Sequence, residues 1–150
     1  MTKQQIDWKQ FNSIRLTKNF MLKEFAVTSA NYGEVKEEQA AGCLEYQENL
    51  LHLCQFILQP LREYIGKVTV TSGYRNPVVN RIVGGSENSY HMRGMAADII
   101  TDENMSAFMY IKRWKLYTEL ILHKTFIHVA LKPVIKGEKL SYSVLQDKTK

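Results

Sequence analysis

Two short apolar segments each carry one ionisable side chain: Ala96 to Ile100 (AADII) holds Asp98, and Thr125 to Leu131 (TFIHVAL) holds His128. Both segments read as strands. A carboxylate buried among alanine and isoleucine is costly unless it is paired or bound to a metal. Any fold of this chain therefore has to bring a partner to Asp98.

Periodicity supplies the frame around these strands. From about Val35 to Ile65 the positions Leu44, Leu51, Cys54, Leu58, Leu61 and Ile65 recur at steps of three, four and seven, which predicts a long amphipathic helix. Pro60 removes a backbone donor and clashes with the preceding turn, so a kink or break belongs there, and Gly66 ends the helical stretch. Lys67 to Ser72 (KVTVTS) alternates as a strand. Residues 73–90, with Gly73, Pro77, Gly84 and Gly85, read as loop with a turn of helix near Val78 to Val83. Asp102 to Asn104 looks like a helix start, and the helix is expected to run to about His123 with Tyr110, Trp114, Tyr117 and Ile121 on one core-facing side. In TFIHVAL, Phe126, His128 and Ala130 share one face. Lys139 to Leu145 suggests a fourth strand, and Leu16 to Ser29 a short helix carrying Leu22 and Phe25. The order predicts an α+β domain, a small antiparallel sheet with flanking helices, as a single domain over residues 1–150.

At 150 residues the chain can bury one substantial core. Its formal charge of +5 would favour an anionic partner such as nucleic acid, a phospholipid surface or a wall polymer, although a solvated basic surface is the plainer reading. No segment approaches the roughly 20 apolar residues of a membrane span, and MTKQQIDWKQF offers no apolar stretch for a signal peptide, so cytosolic synthesis is the expectation. Cys43 and Cys54 fall in the same predicted helix, about 16 Å apart along its axis and so beyond the ~7 Å reach of a disulfide. They read as buried thiols, and no CxxC spacing is present.

Of the four histidines, His52 and His123 read as structural. His91 differs, because it lies in a loop with Gly94 three residues on and Asp98 seven residues on. Zinc takes nitrogen, sulfur or carboxylate ligands in tetrahedral geometry, and a catalytic site leaves the fourth position to water. His91 and Asp98 would supply two donors, with His128 the natural third. On the residues alone the pattern is suggestive, since a histidine and an aspartate seven apart also occur by chance.

The segment Ser89, His91, Gly94, Ala96, Asp98 resembles the SxHxxGxAxD signature of the zinc D-alanyl-D-alanine carboxypeptidases and related phage endolysin peptidases, whose fold is shared with the hedgehog signalling domain. TSGYRNPVVNRIVGG (Thr71 to Gly85), NFMLKEF and FIHVAL resemble further segments of that family, so the likeness spans roughly residues 16–131. It implies one zinc per chain on His91, Asp98 and His128, with Arg75 near the scissile carbonyl as oxyanion stabiliser. Ser89 would support the ligands or touch substrate, or would simply bond to backbone in a turn. It implies a metallopeptidase acting on peptidoglycan stem peptides as carboxypeptidase or endolysin-type endopeptidase, with release at lysis or packaging in a virion for a chain lacking a signal peptide. A monomer is expected, with no membrane insertion and no nucleic-acid partner, since no binding motif accompanies the charge.

One part departs from the family. Several members carry an acidic proton carrier three residues before the last histidine ligand, where Thr125 stands here, and others a polar residue two after it, where Ala130 stands. Either another carboxylate reaches the site, with Glu119 of the preceding helix, Glu87 and Asp102 as candidates, or the domain is a catalytically weak zinc-binding structural or wall-binding module. For Glu119 the plainer reading is a surface carboxylate.

Overall fold

A computed structural model describes residues 5–28, 35–133 and 144–149. Helix α1 (Trp8–Ser13), capped by the Asp7 side chain on Gln10 N–H, leads into the ribbon of β1 (Arg15–Thr17) and β2 (Phe20–Met21). A 3-10 turn at Leu22–Phe25 then plants Leu22 and Phe25 in the core.

The long helix expected over 35–65 is present in three pieces: α2 (Lys36–Glu45), α3 (Gln47–Leu53) and α4 (Gln59–Ile65). It breaks at Tyr46, whose φ and ψ of −103° and 23° leave the helical well, as well as near Pro60. Proline clashes with the carbonyl four residues back, and a π turn at Cys54–Leu58 relieves this, with Gln59 N–H donating to Cys54 O. Cys43 therefore lies in α2 and Cys54 in the π turn, both as buried free thiols. Gly66 ends α4 at φ 92°.

Strand β3 (Val68–Ser72), helix α5 (Pro77–Ile82), strand β4 (Ala96–Thr101) and helix α6 (Asn104–Trp114) follow. Helix α6 stops at Lys115, which turns into the left-handed region at φ 57°, rather than running to His123. Neither Asp102 nor Asn104 caps it; the N-cap is Glu103, and Asn104 accepts from Thr101 N–H instead. Beyond the break lie strands β5 (Glu119–Leu122) and β6 (Ile127–Ala130). The expected stripe is thus split, with Tyr110 and Trp114 in α6, Tyr117 in the connection that follows and Ile121 in β5, while α6 buries Ala107, Phe108 and Ile111. Tyr117 is core, as read from the sequence. Of the expected fourth strand, residues 139–143 lie outside the described residues, while Val144–Asp147 form β7.

Strands β3 to β7 form one sheet in the order β3-β4-β6-β5-β7, antiparallel except that β7 runs parallel to β5. One sheet face presents Val70, Ile99, Ile127, Val129, Leu120 and Leu122 to the helices, where they pack with Leu50, Leu53, Ile57 and Leu61. Alternation sends Asp98, His128, Ile121 and Glu119 to the opposite face. Among the described residues, no helix is long and apolar enough to cross a membrane.

Candidate metal centre

Asp98 and His128 are directly opposite one another across the β4–β6 pair, so their side chains leave the sheet side by side. A register shift between Val70 and Ser72 places Ser72 opposite Asp98 on the other flank. His91 comes from a separate 3-10 turn, Tyr90–Arg93. Ser89 caps that turn by accepting from His91 N–H, and Gly94 closes it at φ 67°. A side chain at Gly94 would also meet Tyr46 Cβ at 2.7 Å.

The donor atoms converge. His91 Nε2 lies 3.3 Å from Asp98 Oδ1, and His128 Nδ1 lies 3.0 Å from the same oxygen. Together the three residues offer ligand atoms within 4.8 Å of one another. Donors about 2.0–2.1 Å from a tetrahedral zinc are themselves about 3.3 Å apart, so these spacings suit such an ion.

Proton placement supports the same reading. The carbonyl of Gly73, 2.7 Å from His91 Nδ1, can only accept, so Nδ1 carries the proton and Nε2 keeps its lone pair. That Nε2 is buried and has no hydrogen-bond partner. Two lone-pair atoms facing each other without a proton between them are poorly satisfied alone and well satisfied by a cation. Burial lowers the His91 pKa and keeps the ring neutral, the form that binds metal.

Asp98 is held as an anion. Burial pushes its pKa up, yet the hydrogen bond and charge of His128 outweigh this and bring it below the usual carboxylate range. Its other oxygen, Oδ2, accepts from Arg75 Nη2 at 3.0 Å. Arg75 Nε donates in turn to Ser72 Oγ at 3.1 Å. The guanidinium thus steadies the carboxylate and retains three of its five N–H donors for other partners. His128 is flanked by a second carboxylate, with Glu119 Oε1 2.8 Å from Nε2. Burial would lower its pKa, but Asp98 and Glu119 raise it to about 9 in the metal-free protein.

Glu119 stands on strand β5 rather than on the preceding helix, two residues from Ile121, the cross-strand partner of His128. Of Glu119, Glu87 and Asp102, it is the one that bonds to the triad. Glu87 lies in the exposed loop before Ser89, and Asp102 in the turn after β4. Thr125 belongs to the β5–β6 turn, where its carbonyl accepts from Asn104 Nδ2, and Ala130 is fully buried. Neither can carry a proton. His123 follows the end of β5, with its ring stacked on Phe126 at 4.2 Å. His52 stands apart in α3, against Phe56.

Gln39 has no sequence signal of its own and yet holds the loop bearing Arg75. Its amide donates to Tyr74 O and Ala26 O and accepts from Asn76 N–H. A buried glutamine among three backbone partners becomes visible only once α2 is docked.

Residues 18–130 match the family described as Peptidase M15. No curated protein matches the chain.

Proposed function

Because the chain belongs to the peptidase M15 family, a family of zinc-dependent metallopeptidases, we propose that it hydrolyses peptide bonds in peptidoglycan stem peptides, as a D-alanyl-D-alanine carboxypeptidase or an endolysin-type endopeptidase. The observation that carries this reading is the convergence of His91 Nε2, Asp98 Oδ1 and His128 Nδ1, with His91 Nε2 buried and unpartnered. In such a site zinc polarises the scissile carbonyl and acidifies a water, with three protein ligands leaving a position open.

The chain's own residues supply the rest. His91 and His128 present lone pairs, and Asp98 supplies charge. Arg75 holds Asp98 through Oδ2 and directs its remaining donors toward the carbonyl oxygen as negative charge develops there. Ser89 holds the His91 turn. The positive charge of the chain suits an anionic wall.

A second reading, a zinc-bearing module that binds wall peptide without cutting it, is favoured by Thr125 and Ala130, which leave the family's proton-carrier positions without a titratable group. One experiment separates the two: zinc content by elemental analysis, with product analysis after incubation with purified peptidoglycan, for the wild type and His91→Ala. The peptidase reading expects about one zinc per chain and new peptide termini that vanish in the variant. Zinc without cleavage supports the binding module. Absence of zinc overturns both.

A further inference from the structure

The two histidines of the site use opposite ring nitrogens, and each needs its far nitrogen fixed. For His91 the far nitrogen is Nδ1, held by the Gly73 carbonyl at 2.7 Å. For His128 it is Nε2, 2.8 Å from Glu119 Oε1. A neutral imidazole carries its proton on either nitrogen, and only the Nε2–H form leaves Nδ1 free to donate to a metal. A carboxylate accepts and does not donate; Asp98 faces Nδ1 in the same way, so once Nδ1 and Asp98 Oδ1 turn to a metal, Glu119 is the acceptor that keeps the proton on Nε2 and sets the plane of the ring.

Resting on the zinc reading above, we propose that Glu119 is a positioning residue, not the proton carrier: it locks the His128 tautomer and aims Nδ1 at the metal. Three observations converge on this. The hydrogen bond is short and its two side chains are only 14% and 24% exposed, so water competes weakly for either partner. The β5–β6 register brings Glu119 alongside His128 from the strand beyond it, while Asp98 approaches from β4 on the other side. The ring is thereby held from both flanks, with Nδ1 toward Asp98 and Nε2 toward Glu119. Finally, the oxygen facing His128 is already engaged with a nitrogen that points away from the shared donor cluster.

A carboxylate behind a ligating histidine also strengthens that ligand as a donor, because the imidazole gains partial anionic character. The neutral Gly73 carbonyl cannot do this to the same degree. The site therefore has one histidine made a stronger donor by charge and one held by the backbone.

The test uses the full chain as Glu119→Gln and Glu119→Ala, with zinc affinity measured by competition against a chromophoric chelator. In parallel, long-range proton–nitrogen NMR of the histidine rings in the zinc-loaded protein follows the Nε2–H of His128. Glutamine keeps an acceptor oxygen of the same reach, so Glu119→Gln should retain the Nε2–H form and most of the affinity. Alanine removes the acceptor and should weaken zinc binding on the order of 10- to 100-fold, with the Nε2–H left to exchange rapidly with water. Circular dichroism establishes that each variant is folded. Wild-type zinc affinity and an unchanged Nε2–H resonance in Glu119→Ala would overturn the inference. So would a Glu119→Gln variant that holds zinc normally but loses turnover by about 10²- to 10⁴-fold, which is the behaviour of a proton carrier. If the wild type binds no zinc at all, the peptidase reading falls with it; if zinc binds and only these differences fail, the inference alone falls.

Discussion

In the metal-free protein His128 is an imidazolium held between Asp98 and Glu119. Its pKa is raised from about 6.5 to about 9. The stabilisation from this pairing is complete below about pH 6.5 and is lost as pH rises through about 9. Asp98 has the opposite sign: its folded pKa is depressed, so its contribution is present above about pH 4 and is lost as pH falls through the lower folded value. A metal has to displace the proton on Nδ1, so zinc uptake at neutral pH should release a proton, and apparent affinity should climb with pH until about 9. Calorimetry in buffers of different ionisation enthalpy measures that release, and a heat independent of buffer contradicts it. Asp98 and His128 stand out in the sequence as ionisable groups inside apolar strands, but with His91 the pattern is only suggestive until the likeness to SxHxxGxAxD is added. The partner of His128 Nε2 is not legible there, since Glu119 reaches it only if residues 119–122 are a strand.

That misreading belongs to the elements. The aromatic spacing from Tyr110 to Ile121 fits a helix, and the alternation in Glu119–Leu122 spans only four residues, too short to compete by pattern alone. The decision is made at Lys115 and by pairing with β6, both tertiary facts. Pro60 marks a disturbance in the sequence and the π turn before it relieves the clash, but the break at Tyr46 answers to packing, since Tyr46 stacks on Tyr74 at 5.9 Å and closes on Gly94. The other side of Tyr74 depends on α2. A Cβ at Gly42 would sit 2.1 Å from the Tyr74 ring. Gly42→Ala is therefore predicted to cost about 1–3 kcal/mol by overpacking, despite alanine's better helix propensity. Tyr74 precedes Arg75, so the variant should also weaken zinc binding. Chemical denaturation and chelator competition check the two effects, and an unchanged or raised stability refutes the first.

For the whole molecule, the sequence conveyed an amphipathic helix, short strands and a small antiparallel sheet with flanking helices, while the face of the sheet that carries the site emerged only from the pairing. The sheet order and the parallel direction of β7 were not legible, because nothing local tells a strand which neighbour it will join. Strand β7 covers β5, the strand that carries Glu119. Removing residues 144–150 should bare the backbone groups of β5 at the sheet edge and promote self-association. Light scattering coupled to size-exclusion chromatography reads this, and a strictly monomeric truncated chain opposes it.

The three donors come from β4, β6 and a turn that docks through Gly73, so they meet only when the chain is folded. An ion that recognises the native arrangement and not the unfolded chain draws the equilibrium toward the native side by mass action. Each tenfold rise in free zinc above its dissociation constant should add about 1.4 kcal/mol to unfolding, and a chelator should take it away. The melting temperature of this protein would then serve as a gauge of the free zinc around it.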